Sequence, residues 1–157
     1  MGPRQWPDLM HDLIRHLFPQ LRDDTFEVTS PRDARYNCVA WAAGDTTRWW
    51  WPGEPPFSFW PAGVTREESI ASFVDAFSTL GYEEARSGDL EQDQEKVALF
   101  VSNDGIPTHM ARQLPDGSWT SKLGRLEDIV HVDAAGVAGS DYGQIAIFLR
   151  RLKSSSA

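Results

Sequence analysis

The chain has 157 residues, with 15 basic against 23 acidic side chains and a formal net charge of −8. Such a charge repels phosphate backbones, so we expect no nucleic-acid partner. Its length suits one domain over residues 1–157. The single cysteine excludes an internal disulfide and a multi-cysteine zinc site, which suits a reducing compartment.

The first residues of the chain lack the apolar run of a signal peptide. No stretch of the sequence approaches the roughly 20 apolar residues of a membrane span. We therefore expect a cytoplasmic protein with no membrane partner.

The first predicted element is an amphipathic helix from Pro7 to Leu17. Its apolar residues recur at helical spacing, and Pro19 ends the pattern. The same spacing puts His16 on the polar side. A short extended piece is expected at residues 26–28.

The only cysteine, Cys38, stands where a loop turns into a short helix. Residues 39–43 include three alanines, and Gly44 supplies a C-terminal stop. A thiolate at a helix start gains from the partial positive charge there, so the thiol pKa is expected to fall from about 8.5. Two roles stay open for Asn37: it could cap the helix, or its side chain could join the Cys38 N–H in an oxyanion hole.

An aromatic, proline-rich loop insertion follows at residues 45–64. Its prolines exclude a helix or a central strand. Trp49, Trp50 and Trp51, together with Trp41 of the short helix, are candidate substrate-binding residues because aromatic walls bind apolar or sugar-like groups. The alternative is a loop that covers the Cys38 helix.

A second helix is predicted from Arg66 to Leu80, where Thr65 and Glu68 form a capping box and Gly81 follows the last turn. A short strand near residues 82–86 and a solvated acidic loop come next.

Three extended runs then predict an antiparallel β-meander. They cover residues 96–102, 107–114 and 118–123, and turn residues separate them. We further expect a short helix from Leu126 to Val130 and a closing strand from Gln144 to Leu149.

His109 is the candidate base for Cys38, because a cysteine nucleophile needs a proton acceptor and the pKa of histidine lies near neutrality. If residues 115–117 form a three-residue loop, His109 shares a face with Ser121, and Lys122 points the other way. Ser121 could then fix the imidazole tautomer, with Gln113 as a lesser option. A four-residue loop would reverse this choice.

The remaining motifs predict no cofactor. The four histidines lack metal-ligand spacing, and His131 is expected at the surface. No phosphate loop, dinucleotide fingerprint or nucleophilic-serine elbow is present. We therefore expect neither a metal nor an organic cofactor.

The order of Cys38, on a helix start, and His109, on the second meander strand, resembles the papain-like superfamily, in particular its NlpC/P60 and CHAP branch. The resemblance implies an α+β fold in which N-terminal helices, including the cysteine helix, pack on an antiparallel meander. Carried over, Cys38 matches the nucleophile, His109 the base and Ser121 the approximate place of the orienting residue. Residues 37–42, 48–52 and 119–124 also resemble an uncharacterised bacterial family.

The function expected from these residues is cysteine-dependent hydrolysis or acyl transfer at an amide bond of a peptide or protein, through a Cys38 thioester. An amidase, a peptidase and a deamidase would use the same catalytic residues. The rival hypothesis is a catalytically silent papain-like fold that serves as a protein-binding module. The oligomeric state does not follow from the sequence.

Overall fold

A computed structural model describes residues 13–14, 16–19, 21, 26–30, 35–54, 58–123 and 128–153. Within these ranges the chain has an α+β fold with one seven-stranded antiparallel sheet, and two α-helices lie wholly inside them. The helices are α1 (Cys38–Ala43) and α2 (Ile70–Ser78), and a 3₁₀ turn covers Ala134–Val137. The strands are β1 (Phe26–Ser30), β2 (Glu83–Ala85), β3 (Gln94–Val101), β4 (Pro107–Gln113), β5 (Trp119–Lys122), β6 (Asp128–His131) and β7 (Gln144–Leu152).

The predicted meander forms the middle of the sheet. The strand order is β1-β6-β5-β4-β3-β7-β2, so β3, β4 and β5 are neighbours. The turn between β4 and β5 is the three-residue loop: the N–H of Leu114 donates to the carbonyl of Ser118 at 2.7 Å, and Gly117 has φ 91°. A glycine adopts that left-handed geometry without strain, so this turn fixes the register.

Helix α1 has the predicted bounds. The Asn37 side chain accepts from the Ala40 N–H at its start, and Gly44 ends it with φ 82°. The helix packs on β4 and β5. Its first residue, Cys38, is therefore held against the centre of the sheet.

Helix α2 begins later than predicted, and the capping box with Thr65 and Glu68 is wrong. Ser69 is the cap, because its side chain accepts from the Ser72 N–H at 3.1 Å. The carbonyl of Thr65 accepts from the indole N–H of Trp60, and the Glu68 carboxylate accepts from that of Trp51. Both groups thus hold the aromatic loop instead of opening the helix.

The short helix expected from Leu126 to Val130 is also wrong where the structure describes it. Residues 128–131 form strand β6, which pairs with β5 on one side and β1 on the other. Ile129 and Val130 are β-branched and suit a strand, and Ile129 is buried. Residues 126–127 lie outside the described part of the chain.

Most of the predicted helix from Pro7 to Leu17 lies outside the described residues. Those described within it, at positions 13, 14, 16 and 17, are helical. Ile14 is buried and His16 is exposed, as the apolar spacing predicts. No helix in the described ranges is both long enough and apolar enough to cross a membrane.

The sheet carries a hydrophobic cluster on each face. One cluster joins α1, α2 and the aromatic loop to inward residues of β3 and β4, such as Leu99 and Met110. The other contains Ile14, Phe100 and Ala111. Neighbouring residues of a strand point to opposite faces, so residues 109 and 110 of β4 serve different clusters.

The acidic loop before β3 closes around one buried cation. Lys96 is 1% exposed, and its Nζ donates to the carbonyls of Ser87 and Asp89 and to the Glu91 carboxylate, at 2.9, 2.6 and 2.7 Å. A buried ammonium needs such partners. Part of the loop predicted to be solvated is therefore tied to the sheet.

Candidate active site

Cys38 lies at the start of α1, where several backbone amides meet its thiol. It is 6% exposed. Burial raises the pKa of the Cys38 thiol to about 11, and the amides of Met110, Val39 and Cys38 itself, together with the charge of Lys122, act against that rise. The expected fall in pKa does not occur, because desolvation outweighs the helix start. The resting thiol is therefore protonated at neutral pH.

His109 and Ser121 lie side by side, as the predicted register requires. The Nε2 atom of His109 is 3.0 Å from the Oγ atom of Ser121, and both residues are fully buried. The imidazole also stacks on Tyr142, with 4.0 Å between the ring centroids and 6° between the planes. The His109 ring is thus fixed at its Nε2 edge by Ser121 and on one face by Tyr142.

His131 is the functional candidate that the sequence interpretation missed. It is 1% exposed, so the expected surface position is wrong. Its Nε2 atom lies 2.8 Å from the Oγ of Ser121, and its Nδ1 lies 2.7 Å from the carbonyl oxygen of Asp133. The signal that could have found it is the run of residues 128–131, whose β-branched centre favours a strand beside β5.

These contacts assign the tautomers along the chain of hydrogen bonds. A carbonyl oxygen only accepts, so Nδ1 of His131 carries the proton and its Nε2 accepts from the Ser121 hydroxyl. The Ser121 oxygen then accepts from the Nε2–H of His109. The unprotonated nitrogen of His109 is therefore Nδ1, which is buried and makes no hydrogen bond within the described structure.

Both imidazoles are neutral in the folded protein. Burial lowers the pKa of His131 to about 4, while its bond with Asp133 and that residue's charge oppose the shift. Burial and the nearby His131 lower the pKa of His109 well below 6.5. The Nδ1 atom of His109 is consequently a free base at neutral pH.

Cys38 and His109 flank the same strand but belong to different faces. The thiol meets the amide of Met110 in the cluster that contains α1. The imidazole packs against Phe100, its cross-strand neighbour, in the other cluster. The structure thus brings His109, Ser121 and His131 together, and it makes no hydrogen bond between Cys38 and His109.

The backbone ladder is open beside these two residues. Strands β4 and β5 pair at Arg112 with Thr120 and at Gln113 with Trp119, and the described pairing ends there. Beyond that point the His109–Ser121 side-chain bond joins the two strands. Lys122 lies on the Cys38 face, where its Nζ is 5.2 Å from the Tyr36 ring centroid.

Asn37 caps α1 and also ties it to the aromatic loop. Its Oδ1 accepts from the N–H groups of Ala40 and Trp50, and its Nδ2 donates to the Trp50 carbonyl at 2.7 Å. These bonds show that Asn37 caps α1. Only one of the two N–H donors of Nδ2 is used, so the cap leaves the second donor that the oxyanion role requires.

The four candidate tryptophans have different positions. Trp50 is buried and bonds Asp45, while Trp51 packs edge-on against Phe73. Trp41 donates to Thr120 at 2.9 Å, which fixes α1 to β5. Trp49 lines a surface groove together with Arg48 and Phe59. The loop therefore covers the helices with most of its aromatic rings.

The described residues contain no group of three His, Cys, Asp or Glu side chains that could hold a metal ion. The site that they do form is a buried imidazole–hydroxyl–imidazole chain on one face of the sheet, and the Cys38 thiol meets the Met110 amide of the same strand, β4, on the α1 side. It defines a candidate for proton transfer and nucleophilic chemistry.

A comparison with known protein families assigns the chain to one of them. A family model described as "Domain of unknown function (DUF7689)" matches residues 27–150, so the chain belongs to that family. No curated protein and no solved structure matches it. The matched region contains Cys38, His109, Ser121 and His131.

Proposed function

We propose that this chain is a papain-like, NlpC/P60-like cysteine hydrolase or acyl transferase that acts on an amide bond of a peptide or protein. Cys38 is the nucleophile and His109 the base. The observation that carries the proposal is the unpartnered Nδ1 of His109, whose lone pair is fixed by the bonds through Ser121 and His131. A buried polar atom without a partner is rare in folded proteins, and a catalytic role is one explanation for it.

The proposed reaction begins with both groups neutral. The Cys38 sulfur attacks the amide carbonyl carbon as its proton passes to Nδ1 of His109, and that proton then leaves with the amine or with ammonia. A thioester remains on Cys38. Water hydrolyses it in a hydrolase or a deamidase, and a second amine accepts the acyl group in a transferase.

The proton transfer needs the thiol to turn from the Met110 amide toward Nδ1. The described β4–β5 ladder ends at Arg112 and Thr120, so this movement breaks no described ladder bond between the two strands. The amides of Cys38 and Val39 then face the developing negative charge at the helix start.

Acylation by p-nitrophenyl acetate tests this proposal without knowledge of the natural substrate. We expect release of p-nitrophenolate together with one acetyl group on Cys38, identified by peptide mass spectrometry. Cys38→Ala should abolish that modification, and His109→Gln should slow it about 100-fold, the usual contribution of a general base.

The exposed histidine gives a matched control. His16→Gln should leave the acylation rate unchanged, because His16 is exposed and remote in sequence from the site. The proposal fails if acetylation occurs at other residues only, or if His109→Gln, folded by circular dichroism, reacts as fast as the unmodified chain.

The second candidate function is a protein-binding module with the same fold. The burial of Cys38 and the raised pKa of its thiol favour it, since both describe an inert cysteine. Absence of Cys38 acetylation, combined with a lower thermal midpoint in Cys38→Ala, would show a structural cysteine and favour this function over catalysis.

A further inference from the structure

A groove beside the start of α1 concentrates positive charge on this acidic chain. Its volume is about 470 Å³, and its lining includes Arg35, Arg48 and Arg66. The described lining contains no carboxylate side chain. Three arginines in one groove contrast with the net charge of −8 on the whole chain.

Two of these guanidinium groups are held in place by the fold. The Nε of Arg48 donates to the Asp45 carboxylate at 3.0 Å, and its Cζ lies 3.6 Å from the Phe59 ring centroid. Nη1 of Arg66 donates to the Gly53 carbonyl. Fixed side chains lose less conformational entropy when a ligand binds, so the groove is preorganised.

The Asp45 carboxylate lies close to the groove residue Arg48, but it already accepts hydrogen bonds from neighbouring residues. Burial opposes its ionised form, but hydrogen bonds from Thr47, Trp50 and Arg48 hold the pKa of Asp45 below its usual value. The carboxylate is thus committed to three neighbours. Its bond to Arg48 uses one of the five N–H donors of that guanidinium.

The rest of the lining is suited to a small organic anion. Trp49 and Phe59 contribute aromatic surface. Ser58 adds a hydroxyl whose Oγ is buried and has no hydrogen-bond partner in the described structure. A buried polar atom of this kind is rare unless something else binds it.

We propose that this groove is a binding site for a carboxylate group on a small ligand or peptide. Arginine forks match carboxylates with paired hydrogen bonds. The net charge of −8 would repel a polyanion, whereas a single carboxylate meets mainly the local arginines. The site does not depend on catalysis at Cys38.

The carboxylate could be a peptide C-terminus or an acidic side chain, and three probes separate these sources. Acetyl-Ala-Ala presents a terminal carboxylate, acetyl-Glu-Ala-amide a side-chain carboxylate, and acetyl-Gln-Ala-amide neither. Titration calorimetry on the full chain should show binding of at least one carboxylate probe about tenfold tighter than the glutamine probe, as for one charge-assisted bond.

Variants of the groove test the location. Arg48→Gln and Arg66→Gln should each weaken the bound probe about tenfold. Arg150→Gln is the matched control, because Arg150 lies on β7, pairs with Glu83 of β2 and is not part of the groove lining. The substitution removes the same charge at another site. Its affinity should stay within about twofold, since exposed charges interact weakly.

Three results would overturn the assignment. One is equal affinity for the glutamine probe and both carboxylate probes. Another is an equal loss in Arg150→Gln and in both groove variants. The last is tighter binding of inorganic phosphate than of either carboxylate probe, which would assign the groove to phosphate. Thermal midpoints within a few degrees of the unmodified chain confirm that each variant folds.

Discussion

The hydroxyl of Ser121 accepts a hydrogen bond from Nε2 of His109 at 3.0 Å, across two strands that are no longer paired at that point. This bond decides which imidazole nitrogen is free. The direction of this bond depends on His131. Because Nδ1 of His131 donates to the Asp133 carbonyl, its Nε2 accepts the Ser121 proton, and the Ser121 oxygen is left to accept from His109. A single small side chain therefore controls the protonation of the candidate base.

Ser121→Ala should reduce both stability and base strength. The change leaves Nε2 of two buried histidines without a partner, so we expect a loss of about 2 kcal/mol or more in the free energy of unfolding. It should also release the His109 tautomer, which ¹⁵N chemical shifts of the ring report. Urea unfolding measures the stability.

The Ser118 hydroxyl provides the control for this change. Its bond to Asp116 is exposed, so Ser118→Ala should alter stability by less than about 0.5 kcal/mol. If His109 in Ser121→Ala kept the ¹⁵N pattern of the unmodified chain, the tautomer assignment would be wrong.

Cys38 should react slowly with iodoacetamide in the folded chain. Its pKa is raised from 9.0 to about 11, so the thiolate fraction between pH 7 and 8 falls about 100-fold relative to the unfolded chain. Labelling rates followed by mass spectrometry, with and without urea, measure the ratio. A native rate equal to the unfolded rate would show that the thiol is not desolvated.

Stability should fall as the solution is acidified from pH 6.5 to 4. The unfolded chain binds a proton at His131 in that window and the folded chain does not, because the folded pKa is about 4. This histidine alone accounts for about 3 kcal/mol, and His109 acts in the same direction. Urea midpoints across the window measure the slope.

His131→Asn should flatten that slope, whereas His16→Asn, at an exposed position, should leave it unchanged. A stability that does not vary between pH 6.5 and 4 in the unmodified chain would contradict the buried, neutral state of the two imidazoles.

Asn37→Ala should destabilise the chain by about 1–3 kcal/mol, because it removes the cap of α1 and both bonds to the Trp50 backbone. Asn37→Asp keeps the two accepting bonds and loses the donating one, so its cost should be smaller. Thermal unfolding compares them. Equal losses would mean that the bond from Nδ2 carries most of the effect.

The sequence predicted the partner of His109 because one turn set the register. Gly117, with its positive φ, makes the loop three residues long, and strand alternation then puts Ser121 beside His109 and Lys122 on the other face. The turn and the strand alternation both depend only on residues that are close together in the sequence. The same reasoning predicted the meander and the bounds of α1.

The relation between Cys38 and His109 could not be predicted in this way. Which face of the sheet α1 covers depends on the packing of Trp41, Trp50 and α2, and not on the spacing of residues along β4. The fall expected in the thiol pKa likewise ignored burial, which only the fold supplies. His131 was missed because β6 was read as a helix.

The Asn37 side chain connects the start of α1 to the aromatic loop. The residue before Cys38 and the backbone of Trp50 are joined by one side chain, and Trp49 lines the groove next to that junction. A ligand in the groove would therefore contact a segment that one side chain ties to the residue before Cys38. Thermodynamic linkage makes any coupling between two reversible ligands mutual, so a reversible ligand of Cys38 and a ligand of the groove would change each other's affinity by the same factor.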